Sequence, residues 1–150
     1  MRSAGRYGDG SSTGGEAHSG PVAAGDEFDV LALDGSLLRG LESLEDLASW
    51  RDEVIHRCRR VILGDVSIGA GPPVVRPAAT STVETLLAAG IDRMRKNGEL
   101  AVDADPSTLA TGLTAALHGG LLLARTVRDA APLEVALDVA LSCVRSHSAR

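Results

Sequence analysis

The chain has 150 residues, a hydrophobic fraction of 44% and an aromatic fraction of only 2%. That is one domain at most plus tails, with a core that must be built from Leu, Val and Ala, as suits close-packed helices. The net charge of -5 argues against a broad nucleic-acid surface, which is usually basic, and the absence of an N-terminal apolar run argues against a signal peptide.

Residues 1–26 are rich in Gly and Ser with scattered charge and almost no large apolar side chains. Such a segment cannot bury enough surface to offset its ordering entropy, so it is expected to be a disordered tail. Its GDGSSTGG stretch lacks the Gly-Lys-Ser/Thr ending of a phosphate loop. Residues 27–150 are expected to form one all-α helical domain. It opens on EFDVLALDGSLLRG, a helical turn or two interrupted at Gly35, with Phe28, Val30, Leu31 and Leu33 docking on the main body and Leu37, Leu38 and Leu41 continuing that contact.

Ser43 with Asp46 three residues on predicts a helix start of the capping-box type. Leu47, Trp50, Val54, Cys58, Val61 and Ile62 then recur at three and four residues, one face of a helix that Gly64 ends. Arg57, Arg59 and Arg60 lie mainly off that stripe and read as a solvated face. Residues 65–80, with Pro72, Pro73 and Pro77, read as an irregular loop. Ser81 and Glu84 predict a second capping box. Val83, Leu86, Leu87, Ile91 and Met94 form one face of the next helix, and Gly98 stops it.

Two apolar helices complete the chain, each opened by a proline. Asp105 is placed to cap the first with Pro106 at its first position; Pro132 opens the second, with Glu134 in its positive first turn. The first carries Leu109, Leu113, Ala116, Leu117, Gly120, Leu121 and Ala124 on one face and Leu122 and Leu123 on another. A helix apolar nearly all round is buried on more than one side, and in so small a chain a second subunit is a natural source of the other side. Its apolar run, 109–124, falls short of the roughly 18 to 20 residues of a membrane span and contains His118, so a cytoplasmic protein without membrane association is expected. Gly119 and Gly120, costly inside a helix, point to close helix packing. Cys58 and Cys143 read as reduced, buried thiols.

No catalytic constellation stands out, and no enzyme activity is expected. No Gly-x-Ser-x-Gly motif occurs, and the four histidines, His18, His56, His118 and His147, are dispersed without metal-ligand spacing. Neither a metal nor a cofactor is expected. His118 reads first as a satisfied core or interface residue and second as a ligand-facing polar group.

Taken together, Gly98-Glu99-Leu100, Asp105-Pro106, Gly119 to Ala124 and Arg128 to Leu133, over roughly Leu41 to His147, resemble the C-terminal half of a TetR-family transcriptional regulator. The resemblance implies a ligand-binding and dimerisation domain, whose last two helices pair with their copies in a four-helix bundle. It makes Leu113, Leu117, Gly120, Leu121, Leu137, Ala140, Leu141 and Val144 candidates for the dimer interface. It makes Trp50, Val54, Cys58, Leu87, Ile91, Met94 and His118 candidates for a cavity that takes a small, mostly apolar effector. Family members begin with a helix-turn-helix of about fifty residues. The Gly/Ser-rich stretch before Phe28 has no such pattern, so no direct DNA binding is expected from this chain alone, and a homodimer or a heterodimer with a full-length TetR-like regulator is the implied partner. The alternative expectation is a helical protein–protein interaction module without a ligand cavity.

Overall fold

The computed structural model describes residues 35–62 and 77–149, and these are all-α. Five helices lie among them: α1 (Gly35–Arg39), α2 (Leu44–Ile62), α3 (Pro77–Lys96), α4 (Pro106–Val127) and α5 (Ala131–Ser146). The expected tail at 1–26, the docking residues before Gly35, the Gly64 stop and most of the 65–80 loop lie outside the described residues.

The starts of α2, α3, α4 and α5 follow from a local carboxylate or proline. At α2 the predicted capping box is reciprocal: Asp46 N donates to Ser43 Oγ at 3.1 Å, and Ser43 N donates to Asp46 Oδ2 at 2.9 Å. At α4, Asp105 accepts from Ser107 N at 3.2 Å and Thr108 N at 3.4 Å, with Pro106 at the first position. At α5, Asp129 accepts from Ala131 N at 3.0 Å, one residue before Pro132. The second predicted capping box is corrected. Helix α3 begins at Pro77, so Ser81 lies inside it and residues 77–80 are helical instead of loop. A proline lacks an N–H that the first turn would leave free in any case, so Pro77 opens a helix as readily as it ends one.

Gly98 stops α3 at φ 81°, where its lack of a Cβ matters, and Glu99 N then donates to Met94 O at 2.9 Å. The following connector pairs with the chain's C-terminal end: Ala101 N donates to His147 O at 2.7 Å, and Ala149 N donates to Glu99 O at 2.9 Å. The resulting bridge between Leu100 and Ser148 is isolated, and no strand occurs among the described residues.

The core is a single cluster contributed by all five helices. Helices α4 and α5 pack most extensively, followed by α3 on α4. The α4–α5 seam depends on Gly120, where an added Cβ would lie 2.9 Å from Leu133 Cα. Gly90 on α3 makes room for the Leu41 side chain just past α1, whose Cβ would lie 2.7 Å from an added Cβ. Arg93 fastens the end of α1, donating from Nε to Leu41 O and from Nη2 to Arg39 O, both at 2.9 Å. Leu38 and Leu41 are buried as expected, but Leu37 is exposed and does not dock. Cys143 is also exposed, contrary to the expectation of two buried thiols, because it sits on the outer side of α5; Cys58 is buried.

Candidate functional site

Three places in this fold are candidates for function: the core around Trp50, a polar cleft between α2 and α5, and the outer face of α4 and α5.

The predicted cavity residues come together in the core. Trp50 and Val54 on α2 and Leu87, Ile91 and Met94 on α3 are fully buried, Cys58 is nearly so, and all six belong to one cluster. Burial pushes the Cys58 thiol up from its ordinary value, with the Glu134 carboxylate adding to the effect, and both disfavour the thiolate. His118 is not among the residues of that cluster. It is half-buried on α4, and its Nδ1 lies 2.7 Å from Thr114 O one turn back. Sequence reasoning passed over Ile55, Ala110 and Thr114, which are equally part of the buried interior. Ile55 neighbours the Val54 stripe and Ala110 and Thr114 the Leu113 stripe, so a wider apolar arc on each helix would have included them.

The second place is a cleft of about 180 Å3 lined by Arg51, Asp52, Ile55, His56, Arg59 and Glu134. Its cations are already engaged. Arg51 pairs with Asp52 at 2.7 Å and Asp138 at 2.8 Å, and Arg59 pairs with Glu134. Burial works to lower the Arg51 pKa, but the two carboxylates outweigh it and the guanidinium sits above its ordinary value. Chemically the cleft is a latch of ion pairs that holds α2 antiparallel to α5. Among the described residues, no three His, Cys, Asp or Glu side chains gather to hold a metal ion.

The third place is a surface. The residues picked for an interface point the other way: Leu113, Leu117, Gly120, Leu121, Leu137, Leu141 and Val144 are buried in the chain's own core, and Ala140 is partly buried against it. The reason is that α4 and α5 use their most regular apolar stripes on each other and on α3. What remains outside is still apolar. Leu122 is 52% exposed, Leu123 55% and Val127 59% on α4, and Val135 is 63% and Val139 66% exposed on α5. Gly112 and Gly119 share that outer side of α4, and a Cβ at either would meet nothing within 4 Å. Close packing inside the chain therefore accounts for Gly120 but not for Gly119. Helix α4 has 22 residues and is, by length and composition, apolar enough to cross a membrane, longer than the 109–124 run suggests; 44% of its most apolar 18 residues are buried inside the fold.

No family model matches the chain, and no curated protein or solved structure matches it.

Proposed function

We propose that this chain is a regulatory domain of the TetR type, which self-associates through the outer face of α4 and α5 and binds a small, mostly apolar effector in the core between α2, α3 and α4. The carrying observation is the outer face itself. Leu122, Leu123, Val127, Val135 and Val139 are each more than half exposed on two helices packed side by side. Scattered exposed apolar residues are ordinary, but a concentration on one pair of helices marks an association surface. The glycines strengthen the reading. Gly112 and Gly119 each cost about 1 kcal/mol relative to Ala in a helix interior, and nothing in this chain occupies the space above them. A neighbouring helix approaching over that space would use both.

Light scattering on the chromatographed protein tests this. A dimer is expected at micromolar concentration, and Val139→Asp or Leu123→Asp should give a monomer with unchanged helix content. A wild-type monomer at that concentration overturns the self-association.

The competing reading is a helical interaction module with no effector. It is favoured by the complete burial of Trp50, Val54, Leu87, Ile91 and Met94 against one another. A small apolar compound that raises the melting temperature and perturbs Trp50 fluorescence separates the two.

A further inference from the structure

Among the described residues three buried side-chain polar atoms have no hydrogen-bond partner: Arg51 Nε, whose guanidinium is already paired with Asp52 and Asp138, and two atoms of the core, Trp50 Nε1 and Thr114 Oγ1. Trp50 is 0% exposed and Thr114 4%. They stand on α2 and α4, which pack against each other. Trp50 belongs to the same apolar cluster as Leu113 and Leu117, the neighbours of Thr114 along α4. Buried polar groups are nearly always satisfied, and one left alone forfeits the hydration it had in the unfolded chain.

The chain shows how a helical hydroxyl is ordinarily relieved. Thr126 donates to Leu122 O and Ser142 to Asp138 O, each at 2.8 Å and each four residues back. Thr114, more deeply buried than either, makes no such bond. An indole N–H has no second option, because it is a donor only. Val54, Leu87, Ile91 and Met94, of the same cluster as Trp50, are apolar and fully buried, which disfavours any charged guest.

We infer that Trp50 Nε1 and Thr114 Oγ1 are the polar contacts for an uncharged, largely apolar small molecule that carries a hydrogen-bond acceptor, such as a ketone or ester oxygen. The inference rests on the effector-binding reading above and names the chemistry of that effector. The apolar wall supplies affinity, and the two polar atoms supply the preference for oxygen over a same-shaped hydrocarbon.

The test uses the full chain and two probes of one shape, cyclohexanone and methylenecyclohexane, followed by thermal shift and by the emission of Trp50, the sole tryptophan. The ketone is expected to bind about fivefold tighter, the factor contributed by one hydrogen bond. Thr114→Val keeps the side-chain shape and removes an unsatisfied group. It should leave the free protein at least as stable while cutting the ketone's advantage, and Trp50→Phe should cut it too, read by thermal shift. Equal binding of both probes overturns this inference and leaves the effector-binding core standing. Binding of neither overturns both. A ketone preference that survives in both variants overturns the assignment of these two atoms.

Discussion

The carboxylate of Glu99 accepts a 2.8 Å hydrogen bond from the backbone N–H of Leu44, 55 positions earlier in the chain. One acidic side chain from the α3–α4 connector thereby caps α2, while the same residue's carbonyl accepts from Ala149 at the C-terminal end. Removing a capping oxygen typically costs about 1 kcal/mol. Glu99→Ala should lower stability by about that amount in urea denaturation, and Glu99→Gln, which keeps an acceptor, should restore most of it. An alanine variant as stable as the parent would show that the start of α2 is secured by Ser43 and Asp46 alone.

Adjacent glycines on α4 should respond with opposite sign. A Cβ at Gly120 meets Leu133 Cα at 2.9 Å, so Gly120→Ala must push α4 and α5 apart and should destabilise by about 1–3 kcal/mol. A Cβ at Gly119 meets nothing, so Gly119→Ala should stabilise the monomer by up to about 1 kcal/mol. If α4 packs closely on a second copy, the Gly119→Ala dimer should dissociate at lower dilution even as its monomer melts higher. Equilibrium unfolding and sedimentation, measured on the same two variants, check both halves.

Both ion pairs of the α2–α5 latch should be weak. The Arg51 side chain is 22% exposed but its partner Asp138 is 59% exposed, and Arg59 is 58% exposed against 29% for Glu134. Each pair thus has one solvated member, and each coupling is expected to be below about 1 kcal/mol. Double-mutant cycles on Arg51–Asp138 and Arg59–Glu134 should therefore give small couplings of similar size, and added salt should erase both together. A coupling that persists in high salt for either pair would mean that solvent does not screen it.

Acid should weaken the fold through three aspartates. Hydrogen bonds from the Ser43 hydroxyl and the Glu42 backbone hold Asp46 below its ordinary pKa. Lys96 and Arg95 do the same for Asp92, and the Thr108 hydroxyl for Asp105. The folded chain thus binds fewer protons than the unfolded chain. The stabilisation is complete above the unfolded carboxylate value of about 3.9, and it is lost as pH falls through the lower folded values. These three groups should leave the melting temperature unchanged from about pH 7 to 5 and make it fall below about pH 4. Asp46→Asn should shallow that fall; a parent-like slope in this variant would remove Asp46 from the account.

The two thiols should be separable by reactivity. Cys143 is exposed and Cys58 is buried, with its thiol held above its ordinary pKa by desolvation. A chromogenic disulfide reagent at neutral pH should titrate one thiol quickly in the native protein and the second only in denaturant. Cys143→Ser should abolish the fast phase.

Helix type and most helix ends were legible in the residues, because capping and periodicity act over a few positions. Ser43 and Asp46 complete their reciprocal bonds within three residues, Asp105 and Pro106 open α4 as expected, and Gly98 ends α3 in the conformation that only glycine adopts freely. Pro77 shows the limit of such reasoning, since a proline next to irregular sequence can end one element or begin another. Spacing made Trp50, Val54 and Cys58 equally readable as one helix face and Leu87, Ile91 and Met94 as another, and all six are buried.

Which apolar face meets which neighbour was settled by the tertiary structure alone. Periodicity identifies α4 as apolar on two sides but does not say which side its own chain covers. Packing gives Leu113, Leu117 and Leu121 to the core and leaves Leu122 and Leu123 outside, and it separates Gly120, pressed on Leu133, from Gly119 with open space above it. It also brings Glu99 to Leu44 and Arg93 to the end of α1, and leaves Trp50 Nε1 and Thr114 Oγ1 without partners. Local signals reach about one helical turn; burial and long-range pairing depend on where the other helices lie, and no stretch of the chain carries that by itself.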